Sequence, residues 1–399
     1  MKYGRLLAPL LLLGACSGGS SNPLTTPEEE STNVGAGRSS YGESRGGGVP
    51  AEEDVEPKPS EILDKRKIDY GAALRIASLK LVGEVPTMEQ IKGLEGAADP
   101  KVFYESTLDA LLADPRFASS QVKYWKDTFK SGGNAKLDAA AHFAAKTVVE
   151  DRPYTDLLTA TSGTCPTFDA AAGTFTAADC AGGGPTVGVL SDAGLMQQYF
   201  APLAFRRVRF VQETFVCAKL PVEYSQNPTG FGAGIYTGPY ELTSISGSLT
   251  DPAARVDFHD SKSTMCVNCH VTLNHAAPLF AFFDQDGAYD ASEPQVFLPD
   301  EQRAELEDWL PPGEGTFWRY GKPAADLAAY GAAMAADPDV ARCAVTRAWN
   351  FAFSRGNVVD DASPVPKAVS DALLPAFQSG FKVKALLRAI FTSDDFIRF

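Results

Sequence analysis

The sequence has no apolar run long enough to cross a lipid bilayer as a helix, which requires about 20 residues. It also lacks a nucleophile elbow with its Ser-His-Asp set, a His-Glu-x-x-His pattern and a P-loop, so hydrolase and kinase chemistry has no residues to carry it. Basic residues are outnumbered, with 36 Lys and Arg against 50 Asp and Glu and a net charge of −14. Because nucleic-acid-binding proteins carry basic patches, the composition argues against nucleic acid as a partner.

The N-terminus carries an export signal. Lys2 and Arg5 precede a short apolar run over residues 6–13, and the run ends in Leu13-Gly14-Ala15-Cys16. This order of charge, apolar run, small residues and cysteine resembles the lipobox of bacterial lipoproteins. We therefore expect residues 1–16 to be a lipoprotein signal peptide with Cys16 as the acylated residue. Ser17 favours the outer membrane, with the face of that membrane left open.

Composition divides the rest of the chain. Residues 17–59 are rich in Gly, Ser, Pro, Thr and Glu and have few large apolar side chains, which predicts a disordered tether. We expect an N-terminal helical domain at 60–160, a loop-rich middle segment at 161–260, and a haem-attachment segment with a C-terminal helical region at 261–399. The expected fold class is mainly α, with irregular loops clipped by disulfides.

Local signals predict where several helices begin and end. Caps and helix starts are expected at Ser60, at Thr87 with Gln90 as a capping box, at Asp99-Pro100 and at Asp114-Pro115, with Gly83 ending the first helix. Apolar periodicity predicts further helices over about 138–149, 153–158, 206–217, 300–310, 324–336 and 340–353, and two more before the C-terminus.

The number and positions of the seven cysteines predict which of them form disulfides. Setting aside Cys16 for the lipid, and Cys266 and Cys269 for the motif described next, leaves four, which in an oxidising compartment predict two disulfides. Cys165 and Cys180 flank a small-residue loop with a turn at Gly173, so we pair them. Cys217 and Cys343 then pair by elimination.

Cys266, Cys269 and His270 form a Cys-x-x-Cys-His motif. In c-type cytochromes two cysteines with this spacing form thioether bonds to one haem, and the adjacent histidine is an axial ligand of the iron. Zinc would require further Cys or His ligands at close spacing, and only His259 and His275 are near. A redox disulfide would require the motif to open a helix after a strand, and nothing strand-like precedes it. The sequence thus favours one haem c, with zinc and a disulfide as alternatives.

Other segments resemble the exported cytochrome c-like proteins, with their cytochrome-associated domains, of planctomycetes and myxobacteria. The similar segments are LKLVGEVPTMEQI, LDALLADPRFASSQVKYWKD, EDRPYTDLLTA, the Phe283-Asp284-x-x-Gly287 pattern, TRAWNFAFSRGNVV and FKVKALLRAIFTSDDF. The resemblance implies a haem-bearing exported protein and supplies no substrate. Where many relatives have Met-Asp-Pro after the Cys-His pair, this chain has Leu273-Asn274-His275.

The second axial position has several candidates. Met334 is the candidate distal ligand because it lies 64 residues after His270 on a predicted helix, a reach similar to that in small cytochromes, although core packing explains it equally well. His275 is close to His270 in sequence and is expected to line the pocket, while His259 and a five-coordinate iron remain open. His142 is expected on a helix surface. Arg347 and Trp349 are candidates for haem contact or for ordinary packing. The acidic turn around Gly287 lacks the ordered ligands of a calcium loop.

These inferences together predict an envelope-anchored, c-type cytochrome-like lipoprotein that transfers electrons to a redox or envelope protein partner. A haem enzyme, such as a peroxidase or an oxidase-like subunit, is the first alternative. An envelope scaffold without haem is the second.

Overall fold

Helices dominate the architecture, as the fold class predicted. A computed structural model describes residues 65–220, 270, 272–298, 301–310, 313–319, 321–359 and 361–399. The predicted signal peptide with Cys16, the tether and the Ser60 cap therefore lie outside the described residues, as do all residues from 221 to 269. Within the described ranges, no helix combines the length and apolarity that crossing a bilayer demands.

From residue 65, where the described chain starts, six helices precede the first disulfide loop. They are α1 (Tyr70–Val82), α2 (Met88–Glu95), α3 (Pro100–Ala113), α4 (Pro115–Phe129), α5 (Ala135–Val149) and the short α6 (Asp156–Thr159). The most extensive helix–helix packing in this group joins α4 to α5, α1 to α3 and α1 to α4. Leu74, Leu108 and Phe129 are fully or almost fully buried between them.

Short-range side-chain caps explain where these helices begin. The Thr87 hydroxyl accepts a hydrogen bond from the Gln90 backbone N–H, and the Gln90 side-chain oxygen accepts one from the Thr87 backbone N–H, so the predicted capping box is present. Asp99 and Asp114 each accept from the first turn of the helix that follows, with proline in the first position. Such caps contribute about 1 kcal/mol each. Gly83 ends α1 in the left-handed region at φ 76°, a conformation that glycine adopts without strain.

The predicted disulfide-clipped loop is a small hairpin. Strands β1 (Thr167–Asp169) and β2 (Thr174–Thr176) pair antiparallel, and the Cys165–Cys180 disulfide closes their base. Gly173 turns the chain at φ 65°, where an added Cβ would come within 2.5 Å of the Pro115 carbonyl oxygen. Glycine is required there by both conformation and space.

Two helices follow the hairpin, α7 (Ala193–Gln198) and α8 (Phe205–Phe215), with a 3₁₀ turn at Pro202–Ala204 between them. Helix α8 is buried along most of its length. Its end is fixed to the C-terminal part of the chain by the Cys217–Cys343 disulfide, which spans 126 residues. Both disulfides are thus the pairs expected from the cysteine count.

The next described element is α9, whose described helical residues are 270 and 272–276. It continues into a 3₁₀ turn at Ala277–Phe280. The helix predicted over 300–310 was wrong: among its described residues, 301–310, only Leu306–Asp308 are helical, as a 3₁₀ turn. The Leu298 N–H instead donates to the Gln302 carbonyl and the Ala304 N–H to the Val296 carbonyl, so the described residues on either side of 299–300 pair with each other.

The described residues from 313 to 399 form five helices and two short ladders. Strands β3 (Phe317–Trp318) and β4 (Lys322–Pro323) precede α10 (Leu327–Ala335) and α11 (Pro338–Ala352), strands β5 (Asn357–Val358) and β6 (Asp361–Ala362) follow, and α12 (Lys367–Gln378), α13 (Val383–Phe391) and α14 (Asp394–Ile397) come last. Helix α11 packs against α12, α13 and α8.

The C-terminal helices share a core with the first helices. The Tyr104 hydroxyl donates a hydrogen bond to the Phe391 carbonyl at 2.7 Å, across 287 residues of sequence. Lys67 and Phe399 exchange two backbone hydrogen bonds of 2.9 Å. The segments expected as an N-terminal helical domain and a C-terminal helical region are therefore packed together in this structure.

Candidate functional site

Only part of the Cys-x-x-Cys-His motif falls within the described chain. Cys266 and Cys269 lie outside the described residues, as does His259. His270 is described and is helical, and residues 272–276 continue the same helix, α9. The geometry of the site is therefore built outward from His270.

His270 is held by a residue one helical turn away. Its Nδ1 atom lies 3.0 Å from Oδ1 of Asn274, and Asn274 is fully buried. Because an amide oxygen can only accept, Nδ1 carries the proton and donates it, and the Nε2 atom carries the lone pair. Neighbours at i and i+4 share one face of a helix, so the Asn274 contact could have been found from sequence spacing, although we did not predict it.

The surroundings of His270 keep its ring neutral. The Phe205 ring meets the imidazole edge to face, with ring centroids 5.2 Å apart and planes at 87°. Burial lowers the pKa of His270 below its ordinary value of 6.5, while the Asn274 hydrogen bond acts in the opposite direction. A neutral imidazole with a fixed tautomer is the form that binds a metal.

His275 lies on the same helix but on a different face. Five residues at 100° each place it about 140° around the axis from His270. It is completely buried, its ring stacks on Phe317 with centroids 3.9 Å apart, and its Nε2 atom lies 3.9 Å from a carboxylate oxygen of Glu314. The helix geometry therefore separates the two imidazoles. No local sequence pattern identifies Phe317 and Glu314 as neighbours of His275, because both lie more than 38 residues after it in the chain.

Met334 is fully buried on α10. It follows Tyr330 by one helical turn, and the Tyr330 ring meets Phe280 edge to face with centroids 5.6 Å apart. Phe280 belongs to the 3₁₀ turn that continues α9. Met334 thus lies on a helix that contacts the turn following α9, and its side chain is packed in the core.

Arg207 clamps the chain that leaves α9. Its Nη1 atom donates to the carbonyl oxygens of Phe280 and Phe283, both at 2.7 Å. Its Nη2 atom donates to the backbone carbonyl oxygens of Asp284 at 2.8 Å and of Met196 at 2.7 Å. Burial lowers the pKa of Arg207 to about 9, which still leaves the guanidinium charged at neutral pH. This clamp was not predicted from the sequence, because its partners past α9 lie 73 to 77 residues away.

The Phe283-Asp284-x-x-Gly287 pattern forms a tight turn against α7. The Asp284 side chain accepts hydrogen bonds from the backbone of Asp286 and Ala288, both at 2.8 Å. Gly287 has φ 76°, and an added Cβ would lie 1.9 Å from the Ala193 carbonyl oxygen. Among the described residues no group of three or more His, Cys, Asp or Glu side chains is placed to hold a metal ion.

Three other sequence candidates have structural roles here. Arg347 is buried and donates to the carbonyl oxygens of Glu213, Thr214 and Asn357 at 2.7 to 2.9 Å, so it holds the end of α8 against α11. Trp349 stacks on Phe353 with centroids 4.3 Å apart. His142, expected on a helix surface, is half-buried.

The half-burial of His142 results from the hairpin. Its Nδ1 atom lies 3.2 Å from the Pro166 carbonyl oxygen, and its ring packs near Phe168 of β1 with centroids 5.9 Å apart. Burial lowers its pKa below the ordinary value, partly offset by the Pro166 carbonyl. His142 therefore supports the hairpin.

Comparison of the chain with protein-family models, with curated proteins and with solved structures gives no match in any of the three.

Proposed function

We propose that this protein is an envelope-anchored, c-type cytochrome-like lipoprotein that carries one covalent haem and transfers electrons. Cys266 and Cys269 bind the haem through thioether bonds, and His270 is the proximal axial ligand. The observation that supports this most directly is the His270–Asn274 hydrogen bond of 3.0 Å next to the Cys-x-x-Cys-His sequence. It fixes the orientation and the tautomer of a neutral imidazole, as outer-shell hydrogen bonds do for metal-ligating histidines.

The residues around His270 fit a haem group. Haem iron supplies a reversible one-electron change, and the protein tunes it through the axial ligands, hydrogen bonding and burial. Asn274 fixes the tautomer of His270, and Phe205 packs against its ring. The Arg207 clamp holds the chain just past α9, so the support of the proximal ligand rests on buried, hydrogen-bonded elements. Met334 on α10 is the proposed distal ligand, and His275 is a proposed pocket residue.

Export is part of the same proposal. Covalent haem attachment of the c type takes place outside the cytoplasm, and disulfides persist in oxidising compartments. The Cys165–Cys180 and Cys217–Cys343 bonds support such a compartment. We place the protein at the outer membrane through a lipid on Cys16, with a redox or envelope protein as its partner and no nucleic acid.

Intact-mass analysis of the protein purified from its own host tests the proposal. We expect the mass of one haem on the peptide that contains Cys266 and Cys269, and a pyridine haemochrome spectrum typical of two thioether bonds. A Cys266→Ser and Cys269→Ser double variant expressed in the same host is the matched control and should carry no covalent haem. Wild-type protein without the added mass would exclude the cytochrome proposal and leave the scaffold alternative.

A further inference from the structure

A cleft of about 680 Å³ lies between α1, α4 and the C-terminal end of α11. Its volume falls within the range of about 300–1,000 Å³ that is usual for small-molecule sites. Three chain segments line it, residues 79–84, 116–128 and 350–358. Almost all of these residues fall in the segments LKLVGEVPTMEQI, LDALLADPRFASSQVKYWKD and TRAWNFAFSRGNVV, and the haem proposal gives none of the lining residues a role.

The charge in this cleft is opposite to that of the whole protein. Its charged lining residues are Lys80, Arg116, Lys123, Arg355, Glu84 and Asp127, an excess of cations in a chain with a net charge of −14. Arg116 is bound to Glu84, with Nη1 and Oε2 2.5 Å apart. Within the described chain, Lys80, Lys123 and Arg355 form no ion pair. Three cations around one cleft therefore remain available to an anion.

An apolar wall lies beside these cations. Leu79 is 44% exposed, a high value for a large aliphatic side chain, and Phe351 and Val358 are only partly covered. The Lys80 ammonium lies 5.7 Å from the centroid of the Phe351 ring. Charge and apolar surface are thus adjacent, which suits a ligand that has both.

The floor of the cleft is rigid. Asn357 donates hydrogen bonds to the Tyr124 hydroxyl at 2.8 Å and to Thr128 at 3.3 Å, and its carbonyl oxygen accepts one from Arg347. Tyr124 also meets Phe351 edge to face, with centroids 5.1 Å apart. Side chains from α4 and from the chain after α11 are therefore tied together beneath the cleft. A pre-formed site loses less free energy on binding than one that must be ordered first.

We propose that this cleft binds a small organic acid. Its carboxylate or phosphate group contacts Lys80, Lys123 and Arg355, and its apolar portion packs on Leu79 and Phe351. The site is separate from the haem proposal and stands whether or not haem is attached.

Isothermal titration of the full-length protein, corrected with a detergent-only titration, tests the site with four probes. Benzoate and phenyl phosphate carry both required parts, benzyl alcohol lacks the charge, and inorganic phosphate lacks the apolar part. We expect benzoate or phenyl phosphate to bind saturably at one site. Benzyl alcohol and inorganic phosphate should bind with an affinity that is lower by about tenfold or more. Whichever of benzoate and phenyl phosphate binds more tightly shows whether the site prefers a carboxylate or a phosphate group.

A pair of double variants separates a specific site from general electrostatics. Lys123→Gln with Arg355→Gln should weaken binding by about tenfold or more. Lys92→Gln with Lys101→Gln removes the same charge from exposed positions on α2 and α3 and should leave binding unchanged. The proposal is overturned if neither acid binds saturably, if benzyl alcohol or inorganic phosphate binds as tightly as the acids, or if both double variants weaken binding equally.

Discussion

The Nδ1 atom of His270 donates a hydrogen bond to Oδ1 of Asn274, one turn later in α9, at 3.0 Å. If His270 binds haem iron as proposed, a stronger acceptor at this position would give the imidazole more electron density and stabilise oxidised iron, which would lower the reduction potential. We expect Asn274→Asp to lower the potential and Asn274→Ala to raise it, each on the scale of roughly 59 mV, a tenfold change in a one-electron equilibrium. Potentiometric titration of both variants measures this. Shifts of the same sign would argue against His270 as the axial ligand.

Met334 offers a test of the distal ligand. Met334→Leu keeps the side-chain volume, so its cost in stability should stay below about 1.5 kcal/mol, although the residue is fully buried. If Met334 occupies the sixth position, its loss opens the iron, and we expect reduced Met334→Leu protein to bind carbon monoxide where the wild type does not. Visible absorbance before and after the gas is added is the measurement. If the spectra of the variant and the wild type respond to carbon monoxide in the same way, Met334 serves only in core packing.

Arg207 should be among the positions in the chain where a substitution lowers the free energy of unfolding most. Arg207→Met leaves the carbonyl oxygens of Met196, Phe280, Phe283 and Asp284 without this donor, and buried unsatisfied groups are costly. We expect the free energy of unfolding to fall by about 3 kcal/mol or more.

The neighbouring residue supplies the control for this prediction. Arg206 is exposed, and its guanidinium lies over the Tyr199 ring at 5.5 Å. Arg206→Met should cost less than about 1 kcal/mol. Denaturant unfolding of the two variants compares them directly, and equal losses would contradict the role given to the clamp.

Asp192 predicts a pH dependence of stability. Burial raises the pKa of Asp192 from 3.8 to about 7, against the opposing hydrogen bonds from the backbone of Leu195 and Gly194. The folded protein therefore holds this proton more tightly than the unfolded chain does. Its contribution to stability is complete below about pH 4 and is lost as the pH rises toward 7, on the order of 4 kcal/mol in total.

Asp192→Asn should remove this dependence. The amide keeps the oxygen that caps α7 through the Leu195 backbone but carries no charge at any pH. We expect the variant to become progressively more stable than the wild type between about pH 4 and pH 7. Unfolding midpoints measured across that interval provide the test, and two parallel curves would show that Asp192 is not held neutral by burial.

Sequence patterns predicted the fold best where the signal and its structural partner are close in the chain. Thr87 and Gln90 are three residues apart, and Asp99 and Asp114 cap the turn directly after them. Even there the boundaries shifted: the helix expected near residue 138 begins at Ala135, with Asn134 as its cap. Local hydrogen bonds decide these features, so local sequence is sufficient to find them.

Longer-range packing accounts for what the sequence did not reveal. The expected helix at 300–310 is replaced by a turn, and Trp309 there donates a hydrogen bond to the Leu203 carbonyl, 106 residues earlier. The contacts of His275 with Phe317 and Glu314 likewise depend on distant segments. The motif identifies His270, whereas its protein environment is set by tertiary structure that no local pattern contains.

The Cys217–Cys343 disulfide joins the end of α8 to α11 across 126 residues. Cys266 and Cys269 lie inside the loop that it closes. A protease that cuts once anywhere in that loop would convert the protein into two polypeptides still linked through sulfur, so the proposed haem peptide would not be shed. Such nicked protein would migrate as a single species in electrophoresis until a reductant is added.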